Sequence, residues 1–306
     1  MKKILFIGLV GILALTSCDK VENPFPPTIS TELDYSLYPG GDSVAYASSE
    51  WPTFTPNTNL LRNVMVEDFT GHQCTYCPIA ADTADALHHD YLNRAFISTI
   101  HAGPDGAGSF QAVTADYPTD WTNPAGIAIG EHFGQIPGSA FLGNPRGSIS
   151  RVLNGGQHTA HVNDWRAFTE ATMASGLEAN VQAVVNYYPS TRGVFIHSEV
   201  EILNTSLTND LYTVVTLIED TIVGKQKMPD NSSNYNYVHR DVMRGTIGSD
   251  WEGRQLTDDE LENGKYYFNY SYALPAQYDA DNVHLLIYVR DAVTEEVYQV
   301  IKKKLQ

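Results

Sequence analysis

Apolar and polar positions along this chain follow two rhythms, helical steps mixed with short strands in the first half and strict alternation in the second. Both come after an unbroken apolar run at the start. That run, Ile4 to Leu15, has about twelve residues and follows Lys2 and Lys3. A bilayer span needs roughly 20 apolar residues, so the run reads as the core of a signal peptide over residues 1–17. Residues 18–60 carry Pro24, Pro26, Pro27, Pro39, Gly40, Gly41, Pro52 and Pro56. These interrupt helices and strands, and the segment reads as a tether, with Trp51 and Phe54 as closing contacts.

From residue 61 the pattern predicts order. Asn63 to Phe69 is a strand rich in β-formers, and Thr70-Gly71 turns the chain. Ile79, Ala80, Thr83, Ala84, Leu87 and Tyr91 recur at helical steps, so a helix is expected to about Asn93. Ala95 to His101 is a second strand, completing a βαβ unit. Residues 102–122 are rich in Gly, Pro and Asp and read as an inserted loop. A short helix over Asn123–Phe133 is capped by Asn123 with Pro124 in its first turn. Ser148–Leu153 reads as a strand, with Asn154-Gly155 as a hairpin turn. Trp165 to Ser175 is a helix with Asp164 as its cap. Beyond residue 176, Val194, Ile196, Ser198, Val200 and Ile202 alternate with exposed positions, and Leu211–Ile218 and Val283–Val289 are further strands. Residues 177–306 therefore read as an all-β, Ig-like sandwich.

Charge removes one class of partner. The formal charge is −17, and loss of Lys2 and Lys3 with the leader takes it to −17 − 2 = −19. Nucleic-acid binding needs a basic footprint, so no nucleic-acid partner is expected.

The three cysteines, Cys18, Cys74 and Cys77, carry the chemistry. Leu15-Thr16-Ser17-Cys18 is similar to a bacterial lipobox, in which cleavage precedes a cysteine that takes the lipid, palmitate included. Cys18 is thus the expected lipidation site, and the membrane is a partner through the anchor. Cys74 and Cys77 are left to each other. A bridge closing so short a loop adds little stability, but a dithiol at a helix N-terminus has a thiolate favoured by free N–H groups. Cys74 is the expected nucleophile and Cys77 the resolving thiol. Pro78 suits the first helical turn.

A strand, a CxxC, a helix and a second strand resemble the thioredoxin-like proteins, which places a thioredoxin-like α/β domain at residues 61–176. Glu67-Asp68-Phe69-Thr70-Gly71 ahead of Cys74-Thr75-Tyr76-Cys77-Pro78 resembles the outer membrane protein 28 family of exported Bacteroidetes lipoproteins. Gly143, Pro145, Gly147 and Arg151 match its Gly-x-Pro-x-Gly stretch, and Val238 to Arg244 is similar to its Val-x-Arg pattern. The resemblance implies a lipid-anchored outer-membrane location, on the periplasmic side or the cell surface. It also implies a cis-proline beside the dithiol, for which Pro145 is the first choice and Pro137 the second. Glu67 and Asp68 are then either a solvated acidic strand end or the source of one buried carboxylate that assists proton transfer. Gln73 stands where many redox-active relatives carry Trp.

The function expected is thiol–disulfide exchange or a redox response with a protein thiol or disulfide as substrate, without a cofactor. The alternative is a non-catalytic surface protein whose sandwich binds a partner; Tyr187, Tyr188, Tyr235, Tyr237, Tyr266, Tyr267, Phe268, Tyr270 and Tyr272 can feed such a face, though their first expected role is to fill and edge the sandwich. A soft-metal site from His72, Cys74, Cys77 and His101 is a third arrangement, though no metal is the expectation. Asp42-Ser43-Val44 also fits a short O-glycosylation motif.

Overall fold

A computed structural model of the chain describes residues 32–306. The expected signal peptide over residues 1–17 and the expected lipidation site Cys18 lie outside the described residues. The supposed tether is built into the body from residue 35 onward. A 3-10 turn at Tyr35–Leu37 leads to helix α1 (Ser43–Ser49). The Asp42 carboxylate accepts from the Val44 and Ala45 N–H groups, capping α1. Tyr46 is fully buried, packs on Phe195, and its hydroxyl hydrogen-bonds His197 at 2.7 Å. The prolines at 39 and 52 flank α1 without entering it, so they bound a helix rather than abolish one.

The βαβ unit comprises β1 (Val64–Phe69), α2 (Cys77–Asp90) and β2 (Ala95–Ile100). The two strands are parallel, with Val64 opposite Ala95 and Phe69 opposite Ile100. Alternation sorts β1 between two cores. Val64 and Val66 pack with Ala80, Ala84 and Leu87 of α2. Met65 and Phe69 face the other way, toward Phe133 and Tyr288. Helix α3 (Pro124–Gln135) starts where the Asn123 side chain accepts from the Gly126 N–H.

β3 (Arg146–Ile149) runs antiparallel to β1. It ends sooner than its apolar pattern suggests because Ser150 and Arg151 adopt φ values of 45° and 55°, which turn the chain. Asn154-Gly155 closes a small loop in which Asn154 and Gln157 exchange backbone hydrogen bonds, rather than joining two strands. Helix α4 (Trp165–Ala174) follows.

The remaining strands are β4 (Ala179–Tyr188), β5 (Gly193–Ile202), β6 (Leu211–Glu219), β7 (Ile222–Lys227), β8 (Ser233–His239), β9 (Val242–Thr246), β10 (Arg254–Gln255), β11 (Leu261–Glu262), β12 (Lys265–Ala273), β13 (Val283–Asp291) and β14 (Val297–Lys304). They sort into three groups. One sheet runs β11-β12-β5-β4. β14, β13, β6 and β9 continue into β2, β1 and β3 as one large sheet, with β10 paired to β6. β7 and β8 form a hairpin of their own. The core between the sheets holds Val181, Ile196, Val200 and Phe268 with Val215, Leu217, Leu285 and Ile287.

The molecule is therefore mixed α/β with a β-rich C-terminal region. The large sheet crosses residue 176, where Thr99 of β2 lies opposite Val242 of β9. Among the described residues no helix is long and apolar enough to cross a membrane.

Candidate functional site

Cys74 and Cys77 form a disulfide, with Cα atoms 5.4 Å apart. Cys77 is the first residue of α2, and Cys74 lies in the turn before it, its N–H bonded to Gly71 O at 3.0 Å. Pro78 occupies the first helical turn, where no N–H is needed.

Both cysteines are only 1% exposed, because two distant segments cover the turn. The first is the loop over 102–122. Gln73 N–H donates to Phe110 O at 3.0 Å, and the Gln73 side chain donates to Ala112 O at 2.6 Å. A Cβ on Gly71 would sit 2.6 Å from Phe110 O, so this approach requires glycine. The second is the β7–β8 hairpin. The buried Gln226 amide donates to Cys74 O at 3.1 Å and to Gly71 O at 3.3 Å. Lys227 N–H donates to His72 O at 2.9 Å.

Pro145 stands at the start of β3, whose Arg146 is opposite Phe69, so it adjoins the turn carrying the dithiol. The Asn144–Pro145 peptide is cis; Pro137 is not among the cis bonds of the described residues. Gln111 ties the two loops together, donating to Thr70 O at 2.6 Å and to Asn144 Oδ1 at 3.1 Å.

The two carboxylates before the dithiol face opposite sides of β1 and meet different fates. Glu67 is buried against Arg151, itself fully buried, with Nη2 2.7 Å from Oε1 and Nε 3.1 Å from Oε2. That pair is structural. Asp68 lies on the α2 side with Val64 and Val66. It is fully buried, and neither carboxylate oxygen has a hydrogen-bond partner. Burial pushes its pKa up to about 8, so it holds a proton at neutral pH.

His72, His101 and His239 are buried nearby, each with at least one ring nitrogen unpartnered. Trp121 packs against two of them, with centroids 4.3 Å from His239 and 5.6 Å from His101. Burial lowers all three pKa values, that of His239 to about 4, so the rings are neutral near pH 7. Only their chemistry, not their spacing, is visible in sequence. The soft-metal arrangement of His72, Cys74, Cys77 and His101 is not assembled. Among the described residues no three His, Cys, Asp or Glu side chains converge to hold a metal ion.

A cavity of about 210 Å³ opens between α2 and the hairpin, lined by Cys77, Ala81, Asp82 and Asp85 on one side and Gln226, Tyr237 and Arg240 on the other. Of the aromatic residues considered for a binding face, Phe268 and Tyr270 belong to the inter-sheet core, and Tyr187, Tyr266 and Tyr272 pack against it. Tyr235 is 67% exposed.

The model of the outer membrane protein Omp28 family matches residues 141–306. This chain belongs to the Omp28 family. The match opens at the stretch carrying Gly143, Pro145, Gly147 and Arg151, and the dithiol lies ahead of it. The chain is similar in fold to HBP35 of Porphyromonas gingivalis, with a TM-score of 0.60 and 15% identity over 81% of this chain and 77% of that one. A domain of the outer membrane lipoprotein Omp28 from Porphyromonas gingivalis is 23% identical over 42% of this chain and 88% of that one, with a TM-score of 0.30. No curated protein matches.

Proposed function

We propose that this Omp28-family protein is an outer-membrane lipoprotein, anchored through Cys18, whose Cys74–Cys77 pair takes part in thiol–disulfide exchange. The family's description supports the outer-membrane location. The observation that carries the redox reading is the disulfide at the start of α2 together with the unpartnered Asp68 on the same side of β1. A helix start stabilises the thiolate released when the bond opens. A carboxyl group that titrates near neutrality can give up or take the proton that must accompany each exchange.

The finer architecture we read is a thioredoxin-like first half and an Ig-like second half. The βαβ order and the cis Asn144–Pro145 bond beside the dithiol support the former. Two sheets enclosing one core support the latter.

The test of the redox reading is the reduction potential of the pair and the catalysed reduction of a small disulfide such as 2-hydroxyethyl disulfide, for wild type and Cys74→Ser. Loss of activity in the variant is expected. Equal activity in both proteins, or a disulfide that no thiol reduces in the folded state, removes the proposal. Incorporation of labelled palmitate, abolished by Cys18→Ala, tests the anchor.

A further inference from the structure

We infer that the dithiol exchanges with small cationic thiols and disulfides that enter between α2 and the β7–β8 hairpin, and that Cys77 is the sulfur they meet first. This rests on the redox reading above and names its substrate class.

Access argues for size. The loop through Phe110 and Ala112 and the hairpin through Gln226 and Lys227 close over the turn, leaving each cysteine 1% exposed. A protein disulfide cannot reach a sulfur so covered without parting these hydrogen bonds. A cavity of about 210 Å³ with Cys77 in its lining offers an approach, and its volume suits an aminothiol such as cysteamine rather than a peptide loop.

Helix geometry argues for Cys77. Cys77, Ala81 and Asp85 follow one another at four-residue steps and so share one face of α2. All three line the cavity, and Cys74 does not.

Charge argues for a cation. Asp82 lines the cavity, is exposed, and has no ion pair among the described residues. Asp85 has Arg240 at 3.8 Å, with both side chains more than half exposed, so that pairing is weak. Asp241 is held by Lys302 at 2.7 Å. Two aspartates against one arginine leave the entrance negative, within a chain of net charge −17. Such a field concentrates cations and repels anionic thiols.

In the reductive direction, a cysteamine thiolate attacks Cys77 Sγ. The Cys74–Cys77 bond breaks, a mixed disulfide forms at Cys77, and Cys74 leaves as a thiolate that takes a proton. A second cysteamine thiolate attacks the mixed disulfide, releasing cystamine and the Cys77 thiolate, which is protonated in turn. Two thiols are oxidised to one disulfide as the protein disulfide is reduced to two thiols.

The experiment uses two single-thiol proteins, Cys74→Ser and Cys77→Ser, exposed to cationic cystamine, neutral 2-hydroxyethyl disulfide and anionic dithiodiglycolate, with adducts followed by mass. Cystamine should modify the thiol left in Cys74→Ser on the order of tenfold faster than the thiol left in Cys77→Ser, since thiol reactivity follows access as well as ionisation. With Cys74→Ser, cystamine should outpace dithiodiglycolate by about tenfold, and adding Asp82→Asn should shrink that ratio. Oxidised wild type, which needs no cysteine replacement, should be reduced faster by cysteamine than by mercaptoacetate at matched thiolate concentration. Faster modification of Cys74, or rates indifferent to reagent charge, overturns the inference and leaves exchange itself standing. Failure of every thiol to reduce the folded protein overturns the redox reading with it.

Discussion

Replacing Asp68 with Asn keeps the shape of the side chain and removes its charge. In the folded protein the carboxyl is fully buried with both oxygens unpartnered, and its pKa is pushed from 3.8 up to about 8. The unfolded chain keeps the ordinary value. Between these two values the native state holds a proton that the unfolded state has released. Stability is therefore fully present below about pH 4 and falls as pH rises toward 8, with a limiting slope of about 1.4 kcal/mol per pH unit. Carried from 3.8 to pH 7, that slope sets an upper bound of about 4 kcal/mol on the loss.

The amide of the Asp68→Asn variant does not titrate, so this protein should match wild type near pH 4 and become progressively more stable than wild type above it. Urea unfolding of both oxidised proteins at several pH values between 4 and 9 measures this directly. Other groups, including the buried histidines, titrate equally in the two proteins and cancel in the difference. Two stability profiles that stay parallel across the range would refute the claim that Asp68 is buried and protonated. The same substitution should slow reduction of the disulfide by small thiols at neutral pH if Asp68 handles the exchange proton.

Three further outcomes follow from the packing. Arg151→Met strands the Glu67 carboxylate in the interior and should cost about 3–5 kcal/mol in chemical unfolding, while the double variant Glu67→Leu/Arg151→Met should recover much of it. Gln226→Ala removes the donor to Cys74 O and Gly71 O; it should lower stability by about 1–3 kcal/mol and quicken modification of the dithiol by bulky thiol reagents. Tyr46→Ala empties the anchor of α1, a loss of about 3–5 kcal/mol by analogy with other large aromatic truncations, and limited proteolysis should then cut within residues 32–60.

The first half was readable because its signals are local. The strand before the CxxC, Pro78, the Asn123 cap and the strand at Ala95 each depend on neighbours within a turn or two, and each element appears within a few residues of its expected place. Where a local signal failed, a backbone feature invisible in the apolar pattern decided the outcome. Ser150 and Arg151 look like strand residues, yet their left-handed φ values end β3 and turn Arg151 inward to Glu67. The proline count between residues 39 and 56 suggested a tether, but what decides order there is Tyr46 finding a buried site on β5, about 150 residues away in sequence. No pattern inside the segment carries that information.

The same distinction governs the site. Glu67 and Asp68 are adjacent, and strand alternation alone says that they face opposite ways without saying which side is which. The structure assigns them through partners: Arg151 reaches Glu67, and nothing reaches Asp68. The cover over the dithiol was less legible still. Gln226 lies 152 residues from Cys74, in a hairpin whose polar, weakly alternating sequence gives no strong strand signal. Its amide nevertheless fixes the carbonyl of the first cysteine, so the environment of a motif recognised in the N-terminal half is set from the C-terminal half. A CxxC read from sequence predicts an accessible nucleophile because the helix start alone is in view. With the hairpin in place both sulfurs are equally covered, the cavity beside them opens along the α2 face that carries Cys77, Ala81 and Asp85, and the question of substrate becomes one of size and charge at that opening.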